Sequence, residues 1–335
     1  MSVIAVAPTA SVPLALTGDA QGAQRYLHAA ERGSFDGPLP DGSTSLTSAI
    51  TVLRASLGAL GVDRMLLDAM AATESEPPGS PWFPAAMATL GVAHALTGAT
   101  DVAVKELDLA AREGRAAQLP AAVIAAVAEL SLLAAEREDW PEAEEKARRA
   151  VDLIETAGMQ EHLFSILGFL AAARVAAHRG ARAAARRHAG TVLRMTTPSP
   201  AAVPWLSAQV AITLARTFLD LGDLAAARLR AEEARGHLDA LLSEGVLREQ
   251  LRRVSADLAR QSGRTRVPSA MALTEAEMRV LQLLPTHLSL AEIGEELHTS
   301  RNTVKSQVAA LYLKLGCSTR TEAVAQARDL GLLRS

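Results

Sequence analysis

Cysteine is nearly missing from these 335 residues. The single Cys317 excludes an intrachain disulfide and fits a reducing cytoplasm. It follows Gly316 at an expected helix–helix turn and reads as a small packing residue rather than a redox switch. Aromatic residues make up only 3%, and Val and Ile are scattered instead of alternating with polar residues, so strand signals are almost lacking. No apolar run is long enough to span a bilayer, and the apolar opening segment has no basic n-region, so neither membrane insertion nor secretion is expected. The eight histidines are dispersed, without H-E-x-x-H or Cys/His ligand spacing, and there is no nucleophile elbow. Paired acids such as Glu144 and Glu145 read as solvated helix surface. No G-x-x-x-x-G-K-[ST] loop is present to cradle a nucleotide's phosphates. These absences predict a protein that is not an enzyme and has no cofactor or metal.

What is present is alanine, leucine and helical periodicity. The length implies about two domains, and the class is all-α. A turn followed by Ala five positions later recurs about every 40 residues, at Gly98/Ala103, Glu138/Ala143, Gly180/Ala185 and Gly222/Ala227. Gly18/Ala23 keeps the phase upstream, with room for one more unit near Gly58. Each unit reads as helix, short turn, helix, with the small Ala letting two antiparallel helices approach. A fixed period of paired helices predicts an α-solenoid over residues 1–260, similar to tetratricopeptide-like repeats but with longer units. Its elongated concave face is expected to receive a protein, peptide or small ligand. Trp82, Trp140 and Trp205 fall near turns or unit starts and read as inter-repeat packing rather than a ligand cage. Arg174, Arg179, Arg182, Arg186, Arg187 and His188 read as a solvated outer face rather than a site for an acidic partner. The proline-rich stretch Thr196–Trp205 separates repeats. Residues 261–272, QSGRTRVPSAMA, form an expected flexible connector, whose Arg264 and Arg266 serve either DNA backbone contact or solubility.

Residues 273–335 carry the densest signals. Thr274/Glu277, Ser289/Glu292 and Thr319/Glu322 have the Ser/Thr-x-x-Glu spacing with which a hydroxyl and a carboxylate cap a helix start reciprocally. A further start stands at Ser300. Four short helices so punctuated suggest a helix-turn-helix whose third helix, from Ser300 to Leu315, enters the DNA major groove. Val304, Val308, Leu311 and Leu315 make its apolar stripe. Its other side presents Arg301, Asn302, Lys305, Ser306 and Ala309, long donors among small residues, suited to approaching base edges. Ser300 at the helix start is placed for a phosphate, and Lys314 and Arg320 are expected to add phosphate contacts. No Asp or Glu occurs from Leu297 to Thr321, although the domain's acids and bases balance overall. The expected electrostatic footprint is therefore local.

These residues resemble the LuxR-type (GerE-type) DNA-binding domain. The resemblance rests on Leu273-Thr274 with Glu277, Ser289 with Glu292-Ile293, Thr303-Val304-Lys305, Lys314-Leu315-Gly316, Arg320 with Ala323, and Gly331-Leu332-Leu333. It implies that Lys305, Ser306 and Ala309 face the bases, and that the fourth helix, about Thr319 to Leu330, supplies a two-fold interface. Gln307 stands where the family usually has His, and retains hydrogen-bonding capacity toward phosphate or base. Gly294 stands where the family has a small apolar residue such as Ala, which predicts a slightly looser scaffold helix. Segments FDGPLPDGSTSL, ESEPPGSPW and LPTHLSLAEI further resemble the carboxyl-terminal part of MalT-like regulators, without their nucleotide-binding domain. The expected function is a sequence-specific transcriptional regulator on double-stranded DNA, homodimeric at least when bound. Its repeat domain is expected to meet a protein or small-molecule effector, or RNA polymerase. The alternative is a repeat-based adaptor whose C-terminal domain mainly dimerises.

Overall fold

The computed structural model describes residues 20–196, 203–265, 273–315, 317–329 and 332–333. Gly18, the opening segment, residues 197–202 of the proline-rich stretch, residues 266–272 with Arg266, and the glycines Gly316 and Gly331 lie outside them. Among the described residues there are sixteen α-helices and no strand, in two compact units that divide after Leu258. No helix among them is long and apolar enough to cross a membrane.

The first unit is a helical repeat. It begins with α1 (Ala20–Glu31), α2 (Leu46–Leu57) and α3 (Val62–Ser75). Four helix pairs follow: α4 (Phe83–Thr97) with α5 (Thr100–Ala116), α6 (Pro120–Glu136) with α7 (Trp140–Thr156), α8 (Ser165–His178) with α9 (Arg182–Thr196), and α10 (Pro204–Asp220) with α11 (Leu224–Asp239). The turn inside each pair is the one marked in the sequence. Gly98, Gly180 and Gly222 have φ of 89°, 72° and 73°, and Glu138 takes the same left-handed conformation at 61°. In each turn the next residue's N–H donates to the carbonyl five residues back, as from Ala99 to His94, Asp139 to Ala134, Ala181 to Ala176 and Asp223 to Phe218, all at 2.9 Å. This is the Schellman closure, which satisfies helix-end carbonyls and sets the reversal angle. The Ala five positions after each left-handed residue is fully buried in every pair.

The two helices of a pair have different compositions for a physical reason. Second helices bury only a narrow small-residue stripe: Ala143, Ala147, Ala150 and Ile154 in α7, and Ala227, Ala231, Ala234 and Leu238 in α11. Their remaining faces are polar and form the outer layer. First helices are apolar almost all round, and α6 is buried without interruption from Ala122 to Ala135, as an interior helix must be. Accordingly α4 packs on α6, α6 on α8 and α8 on α10, building an inner layer behind the outer one.

The segment after α11 reaches back to the first helices. Ser243 accepts from Val62 N–H (3.0 Å), and Val246 N–H donates to Leu96 O (2.8 Å). Trp205 Nε1 donates to Ser56 O across 149 positions (3.2 Å). Gly245 has φ of 54°, and a Cβ there would stand 2.0 Å from Leu96 O, so only glycine permits this approach. The segment after the last pair is thus fastened to α3 and α4. Polar side chains of the inner helices meet one another. Gln209 Nε2 donates to both oxygens of Glu129 (2.9 and 3.0 Å), and Arg174 reaches Asp220 at 2.5 Å while lying over the Trp140 ring. Arg174 is therefore a buried structural cation and not part of a solvated patch. Arg179 pairs with Glu144, and Arg182 donates to Leu221 O. Two segments singled out in the sequence also meet: Glu76, fully buried, accepts from Thr44 N–H (3.1 Å) and from the hydroxyls of Ser48 and Ser80.

The last helix of this unit, α12 (Leu247–Thr265), continues past the dividing point, so residues 261–265 of the expected connector are helical. The second unit holds α13 (Glu275–Leu283), α14 (Leu290–Glu296), α15 (Arg301–Leu315) and α16 (Arg320–Asp329).

Candidate nucleic-acid interface

The second unit is assembled from its helix starts. Thr274 and Glu277 cap α13 reciprocally, with Glu277 N–H to Thr274 Oγ1 at 3.3 Å and Thr274 N–H to Glu277 Oε2 at 2.6 Å. Ser289 and Glu292 do the same for α14, at 3.4 and 2.7 Å. At α16, Glu322 accepts from the N–H groups of Ser318 and Thr319 (2.9 and 3.1 Å) and donates its own N–H to Thr319 Oγ1 (3.2 Å). These bonds hold the Glu292 and Glu322 carboxyls below the ordinary carboxylate range. Each helix is thereby started by residues three positions apart.

Helix α15 packs on both α13 and α14. Val304, Val308, Leu311 and Leu315 are buried, in a core shared with Val280, Leu281, Leu284 and Ile293. Ser300 caps it: its Oγ accepts from Thr303 N–H (3.1 Å) and lies 2.8 Å from Thr303 Oγ1. The turn before it is tight, with His298 at φ of 52°. Gly294 lies under that turn, and a Cβ there would stand 2.9 Å from Thr299 O. The glycine expected to loosen the scaffold helix is thus at a close approach of helix and turn backbones.

Burial of one side of α15 fixes what the other side shows. Arg301, Asn302, Thr303, Lys305, Ser306 and Ala309 are all exposed, and Gln307 is half-buried at the edge. Ser306 Oγ donates to Asn302 O (3.1 Å). Leu313, 85% exposed, extends the Lys305–Ala309 row by another helical turn. Sequence reading passed over it, although its four-residue step from Ala309 was visible.

Lys314 and Arg320 stand elsewhere. Lys314 Nζ donates to both oxygens of Glu277, at 2.9 and 2.6 Å, tying α15 to the start of α13. That bond, with those to Thr274, keeps the Glu277 carboxyl below its ordinary value. Arg320 donates to three backbone carbonyls of the turn between α13 and α14: Leu284 O (2.8 Å), Thr286 O (2.9 Å) and Leu288 O (2.7 Å). Both cations, expected at phosphates, bond acceptors within the unit. Carbonyls at a helix end and in the turn after it lack backbone partners, and the guanidinium offers donors to three of them at once. Cys317 Sγ lies 3.8 Å from Tyr312 O, and partial burial pushes the thiol's pKa up.

Three comparisons bear on this unit or on the fold. Residues 271–327 match the family described as bacterial regulatory proteins, luxR family. Over 61 residues the chain is 43% identical to the transcriptional regulatory protein YdfI of Bacillus subtilis (strain 168), a stretch covering 18% of this chain and 29% of YdfI. The chain thus spans less than a third of that relative's length. Among solved structures, BtubC (BKLC) from P. vanneervenii is similar at 12% identity over 72% of this chain and 92% of its own, with a TM-score of 0.38. Four capped helices, the buried stripe of α15 and the family match coincide on one segment: residues 271–327 are a DNA-binding helix-turn-helix domain of the bacterial LuxR family.

Proposed function

We propose that the protein is a sequence-specific transcriptional regulator in which α15 lies in the DNA major groove and the repeat unit senses a ligand or partner. The observation that carries this reading is the exposed row Arg301, Asn302, Lys305, Ser306 and Ala309 on a helix whose opposite face is buried. Arg and Lys hydrogen-bond guanine O6 and N7, and Asn pairs with adenine N6 and N7. Small Ser306 and Ala309 allow the backbone to come near the base edges. The start of α15, with Ser300 and Thr303, is suited to a phosphate through helix-end N–H groups and the helix dipole. Lys314 and Arg320 act in this reading by holding α15 and the α13–α14 turn in place. A two-fold arrangement on DNA, through α16, pairs two copies of α15 with half-sites about one helical turn apart.

The test is a mobility-shift titration of the full chain against its selected operator across a range of salt. Arg301→Ala and Lys305→Ala are each expected to weaken operator binding about tenfold, in line with roughly 1–3 kcal/mol for a base-reading side chain. An operator complex unchanged by both substitutions would remove α15 from the interface. An adaptor whose C-terminal unit only dimerises would give no specific complex at any salt concentration.

A further inference from the structure

In this aromatic-poor chain, two of three tryptophans and one of five phenylalanines converge on a single cavity of the repeat unit. It has a volume of about 160 Å³, and Leu53, Ser56, Trp82, Thr89, Phe164 and Trp205 are among its lining residues. The indole rings are held in place. Trp82 Nε1 donates to Asp41 O and Trp205 Nε1 to Ser56 O, both at 3.2 Å. With their N–H groups spent on backbone carbonyls, the rings offer the cavity only apolar surface. Packing alone was the sequence expectation for these tryptophans, yet here they leave a space between them.

The polar groups of the wall are two hydroxyls, 3.4 Å apart. Ser56 donates to Val52 O (2.8 Å) and Thr89 to Ala85 O (2.9 Å) within their own helices. Each hydroxyl has one proton and has used it, so both oxygens can only accept from a guest. None of the described lining residues is charged, and an ionised guest would lose its hydration with nothing in return. A cavity of about 150 Å³ with aliphatic and aromatic walls takes a guest of benzene's size.

We infer that this cavity binds a compact, uncharged, single-ring aromatic molecule that carries one hydrogen-bond donor, directed at Ser56 and Thr89. As an input to transcription the site rests on the function proposed above; as a binding site it does not. The test is calorimetric titration of the full chain, without DNA, with phenol, toluene and benzoate. Phenol is expected to bind and to raise the melting temperature with concentration. Toluene is expected to bind several-fold more weakly, and benzoate at least tenfold more weakly than phenol. Thr89→Val, nearly isosteric, should reduce the preference for phenol over toluene, leaving Ser56 as the remaining acceptor. Ala88→Leu, which fills the wall, should lower phenol affinity at least tenfold. No phenol binding, equal binding of benzoate, or binding indifferent to both substitutions overturns the proposal; Thr89→Val decides should Ala88→Leu not fold. Operator binding without phenol binding fails the site alone. Phenol binding without operator binding fails the regulator alone.

Discussion

In the repeat unit the buried side chains Glu129, Gln209 and Arg174 find partners within the protein, Gln209 on Glu129 and Arg174 on Asp220, whereas in the C-terminal unit Arg301 and Lys305 face solvent. Both units are helical, and both put their apolar residues inside. They differ in what charge is used for. Buried polar groups in the repeat unit pair across distant helices, which makes the packing of α4, α6, α8 and α10 specific at the expense of desolvation. In the C-terminal unit the cations divide between two tasks: Lys314 and Arg320 bond internal acceptors, and Arg301 and Lys305 keep their donors available. A basic residue in a DNA-binding domain is therefore not a DNA contact by virtue of its charge alone.

Breaking the repeat unit's fastening at Gly245 should have the largest effect. Gly245→Ala puts a Cβ into Leu96 O and a side chain at a left-handed φ, and should destabilise this unit by roughly 3 kcal/mol or more. Amide exchange around Leu96 and Val246 should quicken most. Unchanged exchange there would mean that the last helix pair does not hold the first. Next in size is Arg320→Ala, which strips three carbonyls of their donor and should cost the C-terminal unit about 2 kcal/mol in thermal or denaturant unfolding. A normal melting curve with weakened, less salt-dependent DNA binding would return Arg320 to the phosphate-contacting set and dissolve this division of cations. A smaller change, about tenfold in operator affinity with melting unaltered, is expected for Arg301→Ala and Lys305→Ala.

The parts legible in the sequence were those written within a few residues. A capping box spans three positions, so Thr274/Glu277, Ser289/Glu292 and Thr319/Glu322 could be placed without a structure. The repeat turns were legible because a left-handed residue and a close helix approach demand a small residue at each site, and even Glu138 kept the phase. What stayed hidden was long-range. Lys314 meets Glu277 across 37 positions, and Arg320 meets Leu284 across 36. Gln209 meets Glu129 across 80. Nothing local marks such partners, and a lysine bound to a buried carboxylate has the same sequence signature as one bound to a phosphate. The approach of Gly245 to Leu96 was hidden likewise.

The finest test of the comparison is pH, because the two units carry carboxyls shifted in opposite directions. Burial, opposed by the Gln209 bond and aided by Glu136, pushes the Glu129 carboxyl from 4.5 up to about 7. Its native state thus holds a proton that the unfolded state releases, and the repeat unit should lose stability as pH rises from about 4.5 to about 7, levelling off above that. Glu277 has the opposite sign. Lys314 and the Thr274 cap depress its carboxyl, so its contribution is present above about 4.5 and is lost as pH falls through the lowered native value. Residue-resolved amide exchange across this range should show the α6–α10 contact weakening toward neutrality while the α13–α15 contact holds. Glu129→Gln should flatten the first trend and leave the second, and Glu277→Gln should do the reverse. If Glu129→Gln kept the full slope, the Glu129 carboxyl would already be ionised at low pH, and the repeat unit would hold its charge much as the C-terminal unit does.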